Sequence, residues 1–264
     1  MLMAVKNQLK VSVLTIKYAL IKEMLNKTTF FTNIIFMILN NASFIIQMLI
    51  LYSLKENVGG YTFSQVLLLW GLAAGTYGFS HFFFKPAYSL SDTIINGKLD
   101  SYLVQPKNVL LSAITSDVET SALGDMISGY ILLFVSGFSI TKFFLFTFFL
   151  ISGGLALTGF TVILSSLSFW FTKSDIIVET GNKLLTSFAT YPDGIFKGLA
   201  RIMLFTIIPV GLINYIPVKL IDNFNIYLFI LITIFVLVTI IFAFIIFYNG
   251  LKRYSSSNLM IARM

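Results

Sequence analysis

The stretch IYLFILITIFVLVTIIFAFIIFY, residues 226–248, carries no charged side chain. A hydrocarbon core of about 30 Å is crossed by about 20 helical residues, so this run is long enough to span a bilayer. Four other segments have the same character: 30–52, 64–84, 122–140 and 143–171. In lipid every backbone polar group has to be satisfied internally, which makes each of these a helix. Composition agrees, with 264 residues, 57% hydrophobic, 11% charged and a mean hydropathy of +0.90. That places the chain among all-α integral membrane proteins, as one transmembrane domain over residues 1–264.

A sixth crossing is expected within 175–217. Its first part holds Glu179, Lys183, Asp193, Lys197 and Arg201, and the apolar run IMLFTIIPVGLINYIPV follows. Pro192, Gly194, Pro209 and Pro217 mark breaks, so the expectation is one kinked crossing or one preceded by an interfacial piece. Pro209 and Pro217 suggest a broken or re-entrant helix near the outer face, a candidate gate.

Six crossings leave both termini on one side, and lysine and arginine tell which. Lys6, Lys10, Lys17, Lys22 and Lys27, then Lys85, Lys98 and Lys107, then Lys173, Lys183, Lys197 and Arg201, then Lys252, Arg253 and Arg263 make fifteen on that side. The other side receives Lys55, Lys142 and Lys219. Both termini are therefore expected in the cytoplasm of a multi-pass plasma-membrane protein, with 1–29 cytoplasmic or interfacial and 249–264 a cytoplasmic tail. Lys17, Lys22 and Glu23 interrupt the first mildly apolar stretch, so no cleaved leader is expected.

Several classes drop out. The basic excess of 18 Lys and Arg over 11 Asp and Glu is scattered over lipid-soluble sequence, and no nucleic-acid partner is expected. With no cysteine and one histidine, His81, no metal site is expected and none of the clusters a membrane enzyme needs can be assembled. No GxxxxGK[ST] loop is present, so the chain carries no ATPase site.

The longest hydrophilic loop contains INGKLDSYLVQPKN, residues 95–108. Ser89 and Asp92 have capping-box spacing, and Ile95, Leu99, Tyr102 and Leu103 follow at helical positions until Pro106, with Gly97 a weak point. A short cytoplasmic amphipathic helix is predicted. Before the first span, Leu14, Tyr18, Ile21 and Leu25 form one helical stripe while Ser12, Ala19, Glu23 and Asn26 face away, as in a helix on the inner membrane surface in contact with lipid.

Inside the membrane, Asn33, Asn40, Ser43 and Gln47 share a face of the first span, as interhelical hydrogen bonds or part of a polar translocation path. Gly71 and Gly75 form a GxxxG, repeated in small residues by Ala74 and Gly78, which predicts close helix packing. Asp193, Lys197 and Arg201 would ladder along one helix. Asp125 opens the third span, where the helix dipole favours an acid.

The segment IINGKLDSYLVQPKNVLL, residues 94–111, and YPDGIFKGLARIMLFTIIPVGLINYIPVKL, residues 191–220, resemble the permease subunit of type-two ABC exporters, in particular the compact six-span family related to drug-resistance permeases. The matching positions are Gly97, Leu99, Asp100, Leu103 and Pro106, then Tyr191, Pro192, Arg201, Pro209 and Pro217. The resemblance implies the type-two ABC exporter fold and a dimer of permeases, identical or sister, on a cytoplasmic ABC ATPase dimer. ATP and Mg would be bound by the ATPase, with no cofactor in this chain. The loop would act as a coupling helix through Ile95, Asn96, Gly97, Lys98, Leu99, Asp100, Tyr102, Leu103 and Pro106. Where the family commonly has arginine before the loop proline, this chain has Gln105. The alternative function is an ion-coupled secondary transporter, a class that usually shows internal repeats and buried carboxylates; only Asp125 fits the second requirement, and no convincing repeat is found.

Overall fold

The computed structural model describes residues 2–171 and 174–255, with side chains from residue 6 onward. Lys173 and Arg263 of the charge count, and the tail beyond residue 255, lie outside the described residues. Among the described residues there is no strand, only an isolated bridge between Val58 and Tyr61. The helices are α1 (Leu2–Met24), α2 (Lys27–Leu54), α3 (Phe63–Phe84), α4 (Leu90–Ile95), α5 (Asp100–Leu103), α6 (Val109–Ile114), α7 (Ala122–Gly137), α8 (Ile140–Ser166), α9 (Ser174–Ala189), α10 (Leu199–Thr206), α11 (Ile216–Asp222) and α12 (Ile226–Leu251).

Polar residues set where the long helices begin. Asn26 accepts from the Thr29 amide at 3.1 Å and starts α2. Thr62 and Gln65 form a reciprocal capping box at the head of α3. Ser139 caps α8, and Asn225 caps α12 through the amides of Tyr227 and Leu228. Each satisfies donors that the first helical turn cannot pair internally.

Four helices are long and apolar enough to cross a membrane: α2, α3 with its continuation to Ile95, α8 with its continuation to Phe169, and α12. A fifth results if α10 and Gly211–Asp222 count as one broken span, and α7 is a shorter apolar helix. Helix α3 is the most enclosed, packed between α7 and α8, with α12 behind α8 and α2 behind α7. Small residues permit this. A Cβ on Gly129 of α7 would stand 2.7 Å from the Gly71 carbonyl oxygen and 3.2 Å from the Gly75 backbone of α3. The Gly71/Gly75 pattern therefore packs α3 on α7 within the chain, backbone against backbone. Helix α2 buries only Phe30, Asn41 and Met48, and α12 shows lipid-type side chains over most of its surface.

Several expectations need correction. Residues 175–217 divide into several elements: α9 runs for 16 residues, a turn at Asp193–Ile195 follows, and Gly198 breaks the chain with φ +57°. Then α10 and the segment Gly211–Asp222, π-wound over Gly211–Tyr215, meet at 73° around Pro209. Pro217 sits where the π-wound turn Gly211–Tyr215 passes into α11. The Asp193/Lys197/Arg201 ladder does not form, because Gly198 separates the three residues onto different elements. Moreover Arg201 and Lys219, expected on opposite sides, bond the same Asp193 carboxylate next to Tyr61 of the α2–α3 loop. Lys197 and Arg201 thus belong to the end that holds Lys55, Lys142 and Lys219, and the asymmetry becomes thirteen to five.

The amphipathic loop helix is also divided. Gly97, at φ +71°, ends α4, and α5 begins three residues later. Ser89 makes no cap bond; its hydroxyl donates to the Pro86 carbonyl. In α1 the apolar stripe Leu14, Tyr18 and Ile21 faces outward, and the docked side carries Gln8 and Ala19, the latter expected to face away. Gln8 accepts from the Asn108 amide at 2.9 Å, fixing α1 to the head of α6.

Candidate functional site

At the inner end, as the charge count defines it, the chain between α3 and α7 folds back onto the helix ends. Leu90, Ile94, Leu99, Leu110 and Ile114 close one apolar cluster with Val162 of α8, Phe169 after it, and Ala243 and Phe247 of α12. Leu99 is fully buried there. Asp100 accepts from the Tyr254 hydroxyl at 2.9 Å. Burial and that carboxylate hold the Tyr254 phenol well above its usual pKa, so it stays a donor. Asp92 takes the Lys98 ammonium at 2.7 Å and the Asn96 amide, bracing the turn at Gly97.

What projects from this anchored base is Leu103, 42% exposed, Val104, 83% exposed, Gln105 and Pro106. The predicted stripe is therefore split: Leu99 belongs to the anchor, Leu103 to the tip, and Ile95 and Tyr102 are half-buried between. Val104 was missed because the periodicity was carried through Gly97 without a break. The return path is pinned as well. Lys85 reaches Glu119 at 3.3 Å and Asp117 at 3.6 Å.

At the opposite end one carboxylate organises the turn between α9 and α10. Asp193, its side chain 3% exposed, accepts from Tyr61 at 2.7 Å, Arg201 at 3.0 Å and Lys219 at 3.2 Å. Burial first, then the bond to Asp193, raises the Tyr61 pKa far beyond its ordinary value. The backbone of Gly194 lies against the Gly59 carbonyl with no room for a side chain, and Pro192 is buried beside Gly59. Tyr191 is exposed and meets Phe44 edge-on at 6.3 Å. A second bridge, Lys142 to Asp222 at 2.7 Å with Gln65 on the same carboxylate, ties α8, α11 and α3 together nearby. Lys197 is exposed and joins neither cluster.

Removing the Asp193 carboxylate strands three donors. A fully buried pair broken this way costs about 3–5 kcal/mol. Arg201 and Lys219 are 53% and 52% exposed, so water recovers part of the loss, and about 2 kcal/mol is expected for Asp193→Ala. Tyr61→Phe, which deletes one bond and no charge, should cost about 1 kcal/mol. Thermal unfolding of the purified variants measures both; an Asp193→Ala melt equal to the parent would remove this cluster from the fold's stability.

Between the two ends, the α2 amides divide. Asn41, absent from the predicted stripe, is the buried one and donates to Asp125 of α7 at 2.7 Å. Asn40, Ser43 and Gln47 are exposed on the chain's own surface and Asn33 is half-buried, while the Ser43 hydroxyl donates to the Leu39 carbonyl. Asn41 was legible only through its partner: polar residues at membrane depth were counted along one helix, whereas the pair bridges two. His81 lies between the rings of Tyr77 and Tyr88, 4.0 and 3.7 Å away. No group of three metal-ligating side chains exists among the described residues.

Several long apolar helices, packed through glycines and closed at both ends by polar clusters, define a multi-pass membrane protein. The family model for the ABC-2 family transporter protein matches residues 37–258, most of the chain. The chain belongs to that family and is a type-two ABC permease, the membrane subunit of a transporter whose family associates with an ABC ATPase. No curated protein and no solved structure matches it.

Proposed function

We propose that the chain is half of the membrane part of an ATP-driven exporter, coupled to its ATPase through the tip Leu103–Pro106. The observation that carries this reading is the pairing of an exposed apolar tip with a buried base. Val104 offers apolar surface to a partner, while Leu99 and the Asp100–Tyr254 bond fasten the same loop to α8 and α12. Motion of the tip would then enter the helices directly. Six crossings, formed by α2, α3, α7, α8, α9 and α12, put both termini in the cytoplasm of the plasma membrane and leave α10–α11 as a re-entrant outer cap, a gate hinged at Pro209. ATP and Mg act on the partner ATPase, and this chain performs no hydrolysis.

The nearly bare α2 supports a dimer. Asn40 and Gln47 on a lipid-facing helix would each cost several kcal/mol, by order of magnitude, if left unpaired. A second permease, or a water-filled path between two, removes that cost. The buried Asp125 favours the ion-coupled reading instead, since carboxylates at membrane depth mark ion pathways.

Purification of the tagged chain in mild detergent from a host with its native neighbours separates the two. A stoichiometric ABC ATPase is expected to co-elute, with either this chain alone or a sister permease as the membrane part. Recovery of this chain without an ATPase, even after crosslinking through residues 103–106, would overturn the exporter reading in favour of ion coupling.

A further inference from the structure

A cavity of about 310 Å³ lies among α2, α3, α7 and α9, bordered by Asn40, Asn41, Trp70, Tyr77, Asp125 and Thr190. Its volume falls in the range of small-molecule sites. Two of its features are left incomplete by the fold. Asp125 is only 6% exposed, yet no basic side chain among the described residues reaches it, and its one hydrogen bond comes from Asn41 to Oδ1, leaving Oδ2 without a donor. The indole Nε1 of Trp70 is buried without a partner.

The nearby bases are engaged elsewhere. Lys85 is held by Asp117 and Glu119, and Lys183 by Glu179 at 2.6 Å. Two aromatic rings line the carboxylate's cavity, Trp70, backed by Phe44 with centroids 3.4 Å apart, and Tyr77, backed by His81. Tyr77 and Thr186 also line a second cavity of about 410 Å³ that opens among Tyr88, Asp92 and Asp175 near the inner end. A cation entering by that route meets Asp175 and ring faces, which attract positive charge, and the Lys98–Asp92 and Lys183–Glu179 pairs, whose charges cancel.

We propose that this cavity binds the cationic, aromatic or alkyl head of an amphiphile, which makes lipophilic cations the substrate class. The proposal rests on the permease reading for the word substrate, and on the cavity alone for binding. A buried acid with one amide donor and no counter-ion is completed by a cation, whereas an anion would add a second negative charge in a low dielectric.

The two tryptophans provide the assay. Trp70 lines the cavity, and Trp170 lies beyond α8, against Arg253. In Trp170→Phe protein, purified and placed in phosphatidylcholine nanodiscs, Trp70 is the single indole. Tetraphenylphosphonium is expected to quench it saturably, and tetraphenylborate, of like shape and opposite charge, only in proportion to its partition into lipid. Asp125→Asn should weaken the saturable phase by about tenfold or more. Asn40→Phe, an exposed change that fills the cavity, should do the same, and it decides the matter if Asp125→Asn fails to fold. Equal saturable quenching by the anion, or unchanged tetraphenylphosphonium affinity in the folded variants, would overturn the proposal. No ATPase enters this assay. Absence of saturable binding therefore strikes the site and leaves the permease reading, while a missing ATPase on purification strikes that reading and leaves the site.

Discussion

Gly129→Leu removes the folded protein. A Cβ there would sit 2.7 Å from the Gly71 carbonyl oxygen, and the atoms it meets are all backbone of α3, so no side chain can swing aside. Overpacking a core costs about 1–3 kcal/mol where neighbours can yield. Here only separation of the two helices relieves the contact, and α3 is the element on which α7 and α8 both rest. Against a total stability of about 5–15 kcal/mol, parting that seam is enough to unfold the chain. The expected readout is loss of the monodisperse peak after solubilisation. Val135→Leu, on the exposed side of the same helix, should behave as the parent. A Gly129→Leu protein melting within about 2 °C of the parent would mean that α3 and α7 do not approach this closely.

The second large effect separates two residues five positions apart in the loop. Val104→Asp is expected to abolish transport and to weaken association with the ATPase by about 30-fold, the loss of one contact worth about 2 kcal/mol. Its melting temperature should not change, because Val104 touches nothing that holds the fold. Leu99→Asp should fail differently. Truncating a buried leucine costs about 2–5 kcal/mol, and a carboxylate placed in the apolar cluster adds to that. The protein would be lost from the membrane or would melt early, with coupling lost only as a consequence. ATPase activity of the reconstituted complex, transport and thermal melts distinguish the two. Normal transport by Val104→Asp would retire the tip as a contact, and a stable but uncoupled Leu99→Asp would exchange the roles of base and tip.

Much of the fold was legible because apolar length is a local signal. The stretches around α2, α3, α8 and α12 can be read residue by residue, and the boundaries moved by only a few positions where caps such as Thr62 and Ser139 decide them. The region from Ser174 to Asp222 was not legible in the same way. The assignment of Arg201 and Lys219 to opposite sides failed because both answer to Asp193, which precedes both in sequence and is reached only after Gly198 and Pro209 have turned the chain back. The loop between α3 and α7 shows the same limit. Spacing alone placed Leu99 and Leu103 on one face, and they do share the short α5 turn, but the apolar cluster reaches only as far as Leu99 and leaves Leu103 at its outer edge. The Asn41–Asp125 pair needed two helices in register before either partner could be recognised.

The bond between Asp100 and Tyr254 also sets an order in time. The two residues are 154 positions apart, so at about 5–20 residues per second the loop waits roughly 8–31 s on the ribosome for its clamp. The outer cluster closes sooner, once Lys219 has emerged. Until α12 is inserted, the loop lacks Phe247 and Tyr254 and has nothing firm beneath it. A partner that needs a rigid tip therefore engages chains in which α12 is already in place and passes over those still waiting for it, so α12 acts as the loop's certificate of readiness.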